Sequence, residues 1–225
     1  MEQKKYKILI TGHQGAVGSR LAKALKDDEI IGIDTRNGQN LLTCELPLEV
    51  DLIYHLAAHA SVEESWKDPV RNMENITSTV RLAHAYPDTK IIYASSCATI
   101  DPASPYGFSK KGGHDYLKLF HPNSVICMFP NIYGTGRSVV DFFKGKDKVV
   151  IFGSGLHTRD YVHVDDIVKG LVKAKDWEPS EYAMGSDNVH TVLELAEGKE
   201  VEFQLMKRSS RIFNSKYYTK LVGKN

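Results

Sequence analysis

The sequence predicts an α/β protein in which a doubly wound parallel sheet is followed by a small C-terminal lobe. Over residues 1–130, short β-branched segments alternate with longer amphipathic ones, a pattern typical of β–α–β units with right-handed crossovers. The short segments are apolar throughout, as expected of parallel strands covered on both faces. From residue 131 onward, turns and short mixed segments predominate. We therefore predict a sheet domain over 1–130 and a lobe over 131–225, interleaved with the sheet domain in one compact unit.

Each element of the sheet domain has its own signal. The first strand is indicated by YKILIT, and the helix after it by Val17, Leu21 and Leu25, which fall on one helical face at i, i+4 and i+8. Pro69 suits the first turn of a long helix, where the missing N–H removes no hydrogen bond. The predicted strands are 6–11, 30–34, 51–56, 90–95 and 124–128, and the predicted helices are 15–26, 68–86 and 105–120.

Composition places the chain among globular proteins. It has 225 residues, 29 basic and 28 acidic side chains, a net charge of +1 and 42% hydrophobic residues. This composition excludes disordered and collagen-like chains, and the near-neutral charge gives no reason to expect a nucleic-acid partner. No segment approaches the ~20 apolar residues that cross a bilayer, and no signal peptide is recognisable, so we expect no membrane association. Three widely spaced cysteines, Cys44, Cys97 and Cys127, favour free thiols and a cytoplasmic protein.

A glycine-rich turn connects the first strand to the first helix. Gly12, Gly15 and Gly18 form a GxxGxxG pattern in T-G-H-Q-G-A-V-G. In such a turn the first glycine permits the bend, the second lets the backbone approach a pyrophosphate, and the third lets the helix pack close to the sheet. Three glycines alone would also suit an ordinary loop, but the strand–turn–helix context favours a dinucleotide site. We therefore predict a Rossmann-type domain whose turn, including Ala16 and Val17, binds the cofactor.

The cofactor is predicted to be NAD because of Asp34, which ends the second strand 22 residues after Gly12. A carboxylate there accepts both hydroxyls of an adenosine ribose and repels a 2′-phosphate. Arg36 complicates this choice, since an arginine nearby can accommodate the 2′-phosphate of NADP.

A Y-G-F-S-K segment carries the predicted chemistry. Tyr106 and Lys110 are four residues apart, so they share a face of the predicted helix. An ammonium beside a phenol lowers the pKa of the phenol and makes it a usable base near neutral pH. Ser95 and Ser96 end the preceding strand, where a hydroxyl reaches the same pocket. From the spacing alone, the simpler interpretation is that Tyr106 and Lys110 form a surface pair. Their combination with the glycine turn is much more specific and favours a catalytic pair.

Taken together, these motifs resemble the extended short-chain dehydrogenases of the NAD-dependent epimerase/dehydratase family, which act on nucleotide sugars. The resemblance covers nearly the whole chain, in the family's order. It rests on GxxGxxG, Asp34, H-L-A-A at 55–58, Asn75, A-S-S at 94–96, S-P-Y-G-F-S-K, N-I-Y-G-T-G at 131–136 and F-G-S-G-L-H-T-R-D-Y-V-H-V-D-D at 152–166.

The resemblance implies a catalytic centre of Ser96, Tyr106 and Lys110. It implies cofactor contacts from Gly12, Gly15, Ala16, Val17, Gly18, Asp34, Leu56, Ala57, Ala58, Tyr106 and Lys110. Substrate contacts are expected from Ser96, Asn131 and Arg159. The basic residues of 206–225 either form a solvated surface or contact phosphate, and we assign Arg208 to the substrate. No metal site is expected, because the histidines lack ligand spacing. Relatives commonly dimerise through two helices of each subunit, here 68–86 and 105–120, so a homodimer is expected.

The chain also departs from the family pattern. Only nine residues separate Ser96 from Tyr106, where relatives have a longer loop, and A-T-I-D-P replaces the usual V-Y-G after the serines. Met128 lies at or near the position where an arginine often precedes N-x-Y-G. The loop after Gly136 and the C-terminal lobe are short. These departures predict a reduced substrate-binding side.

The predicted reaction is nucleotide-sugar epimerisation, at C4 of a UDP-hexose, through transient NAD-dependent oxidation to a keto-sugar. A dehydratase of the family would have Asp-Glu after the catalytic serine, and a decarboxylase a glutamate, but Cys97 and Ala98 stand there. Two alternatives stay open. One is a keto-sugar epimerase-reductase resembling GDP-fucose synthase, in which Cys97 would act as an acid/base group; otherwise Cys97 is a small buried side chain. The other is a catalytically silent NAD-binding protein.

Overall fold

The computed structural model describes residues 5–204, which divide into two compact units. The first unit contains the described residues up to Met128 together with Val168–Tyr182. The second contains Phe129–Ile167 and the described residues from Ala183 on. No helix within residues 5–204 is both long enough and apolar enough to span a membrane.

Eleven strands and seven α-helices make up the described chain. The strands are β1 Lys7–Thr11, β2 Glu29–Ile33, β3 Leu52–His55, β4 Lys90–Ser96, β5 Ser124–Phe129, β6 Asn131–Tyr133, β7 Lys148–Phe152, β8 Thr158–His163, β9 Glu181–Ala183, β10 Val189–Thr191 and β11 Glu200–Gln204. The helices are α1 Gly18–Ala24, α2 Val62–Lys67, α3 Pro69–Asn72, α4 Glu74–Ala85, α5 Pro105–Phe120, α6 Val139–Phe143 and α7 Val164–Ala174. Short 3₁₀ segments lie at Thr35–Asn37, Cys97–Thr99 and Glu194–Ala196.

A six-stranded sheet in the order β2-β1-β3-β4-β5-β9 forms the first unit. β1 pairs in parallel with both β2 and β3, and β3 pairs in parallel with β4. The central strands are buried almost throughout, as their continuous apolar sequences predict. The predicted fold class, a Rossmann-type parallel sheet flanked by helices, is therefore confirmed.

The core of this unit is formed by one face of the sheet and the helices packed on it. Leu9, Ile53 and Ile91 from neighbouring strands pack with Leu82 of α4 and Leu117 of α5, and all five are fully buried. At roughly 1.5–3 kcal/mol for each buried aliphatic side chain, this cluster fixes α4 and α5 against the sheet.

The strand order places a binding crevice between β1 and β3. The chain turns to one side of β1 to form β2 and then returns to the other side to form β3. In doubly wound sheets such a switch point opens a crevice at the carboxyl ends of the strands, where ligands bind. The glycine turn after β1 and the H-L-A-A segment after β3 lie at this edge.

The predicted helix 68–86 is wrong in its extent, because the segment 62–85 forms three helices. Ser61 begins α2 by accepting a hydrogen bond from the Glu64 N–H (3.1 Å). Asp68 ends α2 and caps α3, accepting from the Arg71 N–H at 2.9 Å. Pro69 at the first position of α3 has no N–H with which to continue α2. The first helix is also shorter than predicted, because residues 15–17 belong to the glycine turn.

The second unit contains two small sheets. β8 lies between β10, which is antiparallel to it, and β6, which is parallel to it. β7 and β11 form a separate parallel pair. A small core of Phe143, Val149, Ile151 and Ala196 supports this pair.

Candidate active site

The glycine turn packs tightly against the loop after β3. Gly12 has a φ of +73°, and a Cβ there would lie 2.8 Å from the Ala57 nitrogen. A Cβ on Gly18 would lie 2.2 Å from the Gly12 carbonyl oxygen. Both positions therefore require glycine. At Gly15, by contrast, a Cβ would meet only the Gly12 oxygen within 4 Å, so the outer side of the turn is open.

Thr11 joins the two loops at the crevice. Its Oγ1 accepts a hydrogen bond from the Ala57 N–H at 3.2 Å, while its carbonyl accepts from the Leu56 N–H at 3.1 Å. These bonds hold the H-L-A-A backbone beside the glycine turn. The predicted cofactor residues Leu56, Ala57 and Ala58 thus lie next to the predicted glycines, in the same unit.

Asp34 is buried at the end of β2, and its carboxylate faces the glycine turn. One oxygen accepts from the Gln14 N–H and the other from the Arg36 N–H, each at 3.0 Å. The carboxylate also caps the 3₁₀ segment Thr35–Asn37. The Arg36 side chain donates to the Gln14 carbonyl, which ties this arginine to the turn.

Ser96 and Tyr106 are brought together where β4 ends and α5 begins. Ser104 caps α5, accepting from the Gly107 N–H at 3.1 Å, and Pro105 occupies its first turn. This start places Tyr106 next to Ser96, whose hydroxyl is close enough to influence the phenol. Ser96 Oγ also accepts from the Ala98 N–H at 3.2 Å, which fixes its position.

The expected lowering of the Tyr106 pKa does not occur in the structure. Burial raises the pKa of the Tyr106 phenol, while the neighbouring Ser96 hydroxyl acts in the opposite direction. The nearby Cys97 thiol raises it further. Spacing along a helix predicts which residues share a face, but burial determines how easily a phenol ionises.

Lys110 lies one helical turn after Tyr106 and is 3% exposed. Burial lowers the pKa of Lys110 to about 7. Its Nζ lies 4.0 Å from the centre of the Tyr93 ring. The Lys110 charge also acts on His55. Burial, and after it Lys110, lowers the pKa of His55 to about 3, so the imidazole is neutral near pH 7.

A chain of buried hydroxyl and imidazole groups supports this centre. His55 Nδ1 lies 2.8 Å from Thr11 Oγ1, and His55 Nε2 lies 3.0 Å from Thr79 Oγ1. The chain therefore runs from the glycine turn to α4. Thr79 lies four residues after Asn75 on α4, so the two polar residues share one helical face. A polar stripe on a helix that packs on the core is the sequence feature that could have indicated this chain of contacts.

Asn75 links α4 to the start of α5. Its Nδ2 donates to Ser109 Oγ at 2.9 Å, and Ser109 Oγ donates to the Tyr106 carbonyl at 2.9 Å. Its Oδ1 accepts from the His59 N–H at 2.8 Å. Motif matching singled out Asn75, but nothing in the sequence indicated that Ser109 completes the link.

In the second unit, Asn131 and Arg159 lie together. Arg159 is exposed on β8, and its Nη1 donates to Asn131 Oδ1 at 3.2 Å. The neighbouring Asp160 carboxylate is bound instead by the Ser186 N–H and hydroxyl, at 3.0 and 2.9 Å. The two predicted substrate residues of this unit therefore form one polar pair. Arg208, the third predicted residue of the lobe, lies outside the described residues.

The loop of the N-I-Y-G-T-G motif is organised around Asp141. Its carboxylate accepts backbone N–H bonds from Gly134, Thr135, Gly136 and Arg137 at 2.9–3.2 Å. Burial would raise the pKa of Asp141, but these bonds and those from Ser138 hold it down to about 2. The Asp141 carboxylate therefore holds the loop together, and its position in the sequence did not indicate this role.

All three cysteines, Cys44, Cys97 and Cys127, are free thiols. Within residues 5–204, no group of three or more His, Cys, Asp or Glu side chains is arranged to hold a metal ion.

Similarity to known proteins decides the family. Residues 8–185 match the sequence model of the NAD-dependent epimerase/dehydratase family. The chain belongs to this family. Family membership makes the protein an enzyme of the extended short-chain dehydrogenase type, as the motifs implied.

The proteins it is similar to include several described as nucleotide-sugar epimerases and dehydratases. A putative UDP-glucose 4-epimerase of Methanocaldococcus jannaschii is 26% identical, over 84% of this chain and 79% of its own. A UDP-glucuronic acid 4-epimerase of Bacillus cereus, solved with UDP-glucuronic acid and NAD, is 26% identical, with a TM-score of 0.73 over 89% of this chain and 86% of its own. The NAD-dependent NDP-hexosamine 5,6-dehydratase TunA has a TM-score of 0.81 over 98% of this chain and 92% of its own, at 23% identity, which shows the shared fold.

The family's cofactor, NAD, fits the residues present. The outer side of the turn at Gly15 is open, so a pyrophosphate can approach the backbone there. The Asp34 carboxylate faces the glycine turn, where it can accept a hydrogen bond from an adenosine ribose hydroxyl. Lys110 and Tyr106 lie in the same unit as this turn.

Proposed function

We propose that the protein is a nucleotide-sugar 4-epimerase that uses NAD and acts on a UDP-hexose. The observation that carries the proposal is that Ser96 lies beside Tyr106, close enough to lower the pKa of its phenol, with Lys110 on the same helical face as Tyr106. NAD, when bound, supplies the reversible acceptor for the hydrogen on the sugar carbon. Everything else in the chemistry is assigned to the protein's own side chains.

Tyr106 is the proposed proton acceptor for the sugar hydroxyl, and Ser96 orients that hydroxyl. A phenol withdrawn from water needs a nearby positive charge to ionise, and the Lys110 ammonium supplies it. Lys110 is itself buried, at 3% exposure. As the keto-sugar forms, Ser96 donates to its oxygen, and the same phenol returns the proton when the opposite face is reduced.

The position after the catalytic serine favours epimerisation over elimination. Cys97 and Ala98 occupy the places where the dehydratases of the family would have an acid pair. Neither an Ala methyl group nor a single thiol provides the two groups that remove water. Although TunA shares the fold, these residues support an epimerase.

Substrate binding is assigned to Asn131 and Arg159, with Arg208 as a further candidate. The Arg159 guanidinium is exposed, so it can form two parallel hydrogen bonds with a diphosphate. Its bond to Asn131 holds one side of the guanidinium in place. The three free cysteines suit a reducing compartment, and we propose the cytoplasm.

A homodimer is proposed through the helical side of the first unit. Phe108, Leu119 and Phe120 of α5 are more than half exposed, at 59%, 71% and 67%. Val70 of α3 is 80% exposed. Light scattering of the wild type should give twice the chain mass, and Leu119→Asp combined with Phe120→Asp should give the monomer. A monomeric wild type would contradict this part of the proposal.

The function is tested by turnover. The purified protein is incubated with UDP- and GDP-hexoses, and the products are separated by configuration. Formation of the C4 epimer of a UDP-hexose supports the proposal. Binding of NAD without turnover of any sugar would favour the silent NAD-binding protein.

One observation favours the reductase alternative. The Cys97 thiol lies close enough to raise the pKa of Tyr106, so it is near the reacting centre. A keto-sugar epimerase-reductase would consume NADPH with a 4-keto sugar and lose activity in Cys97→Ser. The Asp34 carboxylate disfavours the 2′-phosphate of NADPH, so the epimerase is preferred.

A further inference from the structure

Lys110 has an unusual environment for a cation. Its side chain is 3% exposed, and no carboxylate within residues 5–204 forms an ion pair with it. Burial of an unpaired ammonium is costly, and here it lowers the pKa of Lys110 to about 7. Something else must stabilise the charge if Lys110 is to remain an ammonium at neutral pH.

Tyr93 is the group in contact with that charge. It belongs to β4, three residues before Ser96, and is fully buried. The Lys110 Nζ lies 4.0 Å from the centre of the Tyr93 ring, well within the ~6 Å over which an aromatic face attracts a cation. The contact is desolvated, the condition under which this attraction is strongest.

The Tyr93 hydroxyl fixes the same helical turn. It donates to the Lys110 carbonyl at 3.3 Å. A Cβ on Gly113 would lie 2.7 Å from this hydroxyl, so a glycine at that position of α5 makes room for it. The ring holds the Lys110 side chain while the hydroxyl holds its backbone.

We propose that Tyr93 is a positioning residue for Lys110, whose ammonium is kept charged and oriented by the face of the Tyr93 ring. The inference rests on the proposed function, in which Lys110 assists ionisation of Tyr106. It goes beyond that function by assigning a role to a strand residue whose position would otherwise indicate packing alone.

Two further titratable groups lie in this region. His55 of β3 has its ring 5.4 Å from that of Tyr93 and is neutral near pH 7, because its own pKa is about 3. Tyr106 of α5 acts on Tyr93 through its charge when ionised. From α4 the neighbouring group is the Thr79 hydroxyl, which does not titrate. Lys110 is therefore the group in this region whose own pKa lies near 7.

The test measures the pKa of Lys110 directly. Protein labelled with ¹³C at lysine Cε is titrated by NMR without substrate, and the Lys110 signal is assigned from Lys110→Arg. In Tyr93→Phe the ring face remains, so the pKa of Lys110 should stay close to the wild-type value. In Tyr93→Leu the ring is lost, and the pKa should fall by about 1 or more.

Tyr54→Leu is the matched control. Tyr54 is equally buried on the neighbouring strand β3, and its hydroxyl donates to the Leu171 carbonyl at 3.0 Å rather than to α5. This variant should leave the pKa of Lys110 unchanged. If Tyr93→Leu does not fold, 3,4,5-trifluorophenylalanine at position 93 keeps the shape but weakens the ring face, and the pKa should fall relative to Tyr93→Phe.

An unchanged Lys110 pKa in folded Tyr93→Leu, or in the fluorinated protein, would overturn the proposal, as would an equal fall in Tyr54→Leu. These outcomes are independent of the proposed function, because the titration requires no turnover. A wild type that turns over no nucleotide sugar would overturn the function and leave the assignment of Tyr93 intact. In an active enzyme, Tyr93→Leu should lose activity at a lower pH than the wild type as Lys110 deprotonates, and Tyr93→Phe should restore the wild-type profile.

Discussion

A phenol withdrawn from water is a poor base until its anion is stabilised, and Tyr106 shows how a side chain's surroundings meet this requirement. Burial raises the pKa of Tyr106, and the neighbouring Ser96 hydroxyl acts to lower it. The Lys110 ammonium, held over the Tyr93 ring, supplies the positive charge in the proposed chemistry. The side chains involved come from β4 and α5, which pack directly against each other.

Tyr106→Phe should remove the proton acceptor and keep the ring volume. General acid–base groups contribute ~10²–10⁴-fold in rate, so kcat should fall by that factor. NAD affinity, measured by calorimetry, should stay near the wild-type value because the glycine turn and Lys110 remain. Near-normal turnover would exclude Tyr106 from the mechanism.

Asp34→Ala should narrow the preference for NAD over NADP by about 10-fold or more, because a charged hydrogen bond to the ribose and the repulsion of a 2′-phosphate are both lost. Asp34→Asn is the control, since its amide oxygen still accepts one of the two N–H bonds from Gln14 and Arg36. Calorimetric titration with each cofactor checks both variants. Tighter NADP binding by the wild type would instead support the reductase.

Arg159→Leu should weaken UDP binding by roughly 10- to 150-fold, the loss of a charged hydrogen bond to phosphate. The melting temperature and NAD affinity should change little, because Arg159 is exposed and its polar partner is Asn131. Arg159→Lys keeps the charge without the two-pronged geometry and should give an intermediate loss. A lowered melting temperature with unchanged UDP affinity would make Arg159 structural.

At the scale of elements, the second unit depends on a loop wrapped around one carboxylate. Residues 134–138 direct their N–H groups at Asp141, which stands in the first turn of α6. A carboxylate bound in this way is stabilising only while ionised. The loop and α6 should therefore be sensitive to both charge removal and acid.

Asp141→Asn should lower the melting temperature by about 2–4 °C at pH 7, corresponding to about 1 kcal/mol after solvent screening. The pKa of Asp141 is lowered to about 2 from an ordinary value of 3.8, so its stabilisation is complete above pH 4 and is lost as the pH falls toward 2. Thermal melts from pH 7 to pH 2 should show the difference between the two proteins shrinking below about pH 4 and nearly vanishing at pH 2. Asp147→Asn, which removes an exposed charge in the same unit, is the control, and an equal effect there would contradict the role of Asp141.

Hydrophobic pattern and caps explain which elements could be predicted. The buried strands β1, β3, β4 and β5 were found because parallel strands are apolar on both faces. Helix α5 was found with its bounds because Pro105 begins it and the amphipathic pattern ends at Phe120. The division of 68–86 was missed because the end of α2 and the cap of α3 both depend on the one residue Asp68.

The same limits apply to the candidate site. The spacing of Gly12, Gly15, Gly18, Tyr106 and Lys110 could be read directly, because turns and helices place residues at fixed intervals. Tyr93, Thr79 and Ser109 could not, because a tyrosine in an apolar strand and hydroxyls on a helix also suit an ordinary core. Their roles depend on which side chains meet across elements, and that is set by packing.

At the scale of the whole molecule, the proposed function assigns the two units different tasks. The first contains the glycine turn, Asp34 and the Ser96–Tyr106–Lys110 group, and the second contains Asn131 and Arg159. In the proposed function the catalytic group lies within the first unit, and the second unit contributes the substrate contacts. The central claim is therefore that this chain inverts a sugar carbon without net oxidation.

The most direct test uses a UDP-hexose deuterated at C4, incubated with the wild-type protein and a catalytic amount of NAD. We expect the C4 epimer to form with the deuterium retained at C4, as followed by NMR, and no accumulation of reduced cofactor. Tyr106→Phe should form the C4 epimer at no more than ~1% of the wild-type rate. Loss of deuterium from the product, elimination of water from the sugar, or no inversion of any UDP-hexose would contradict the account.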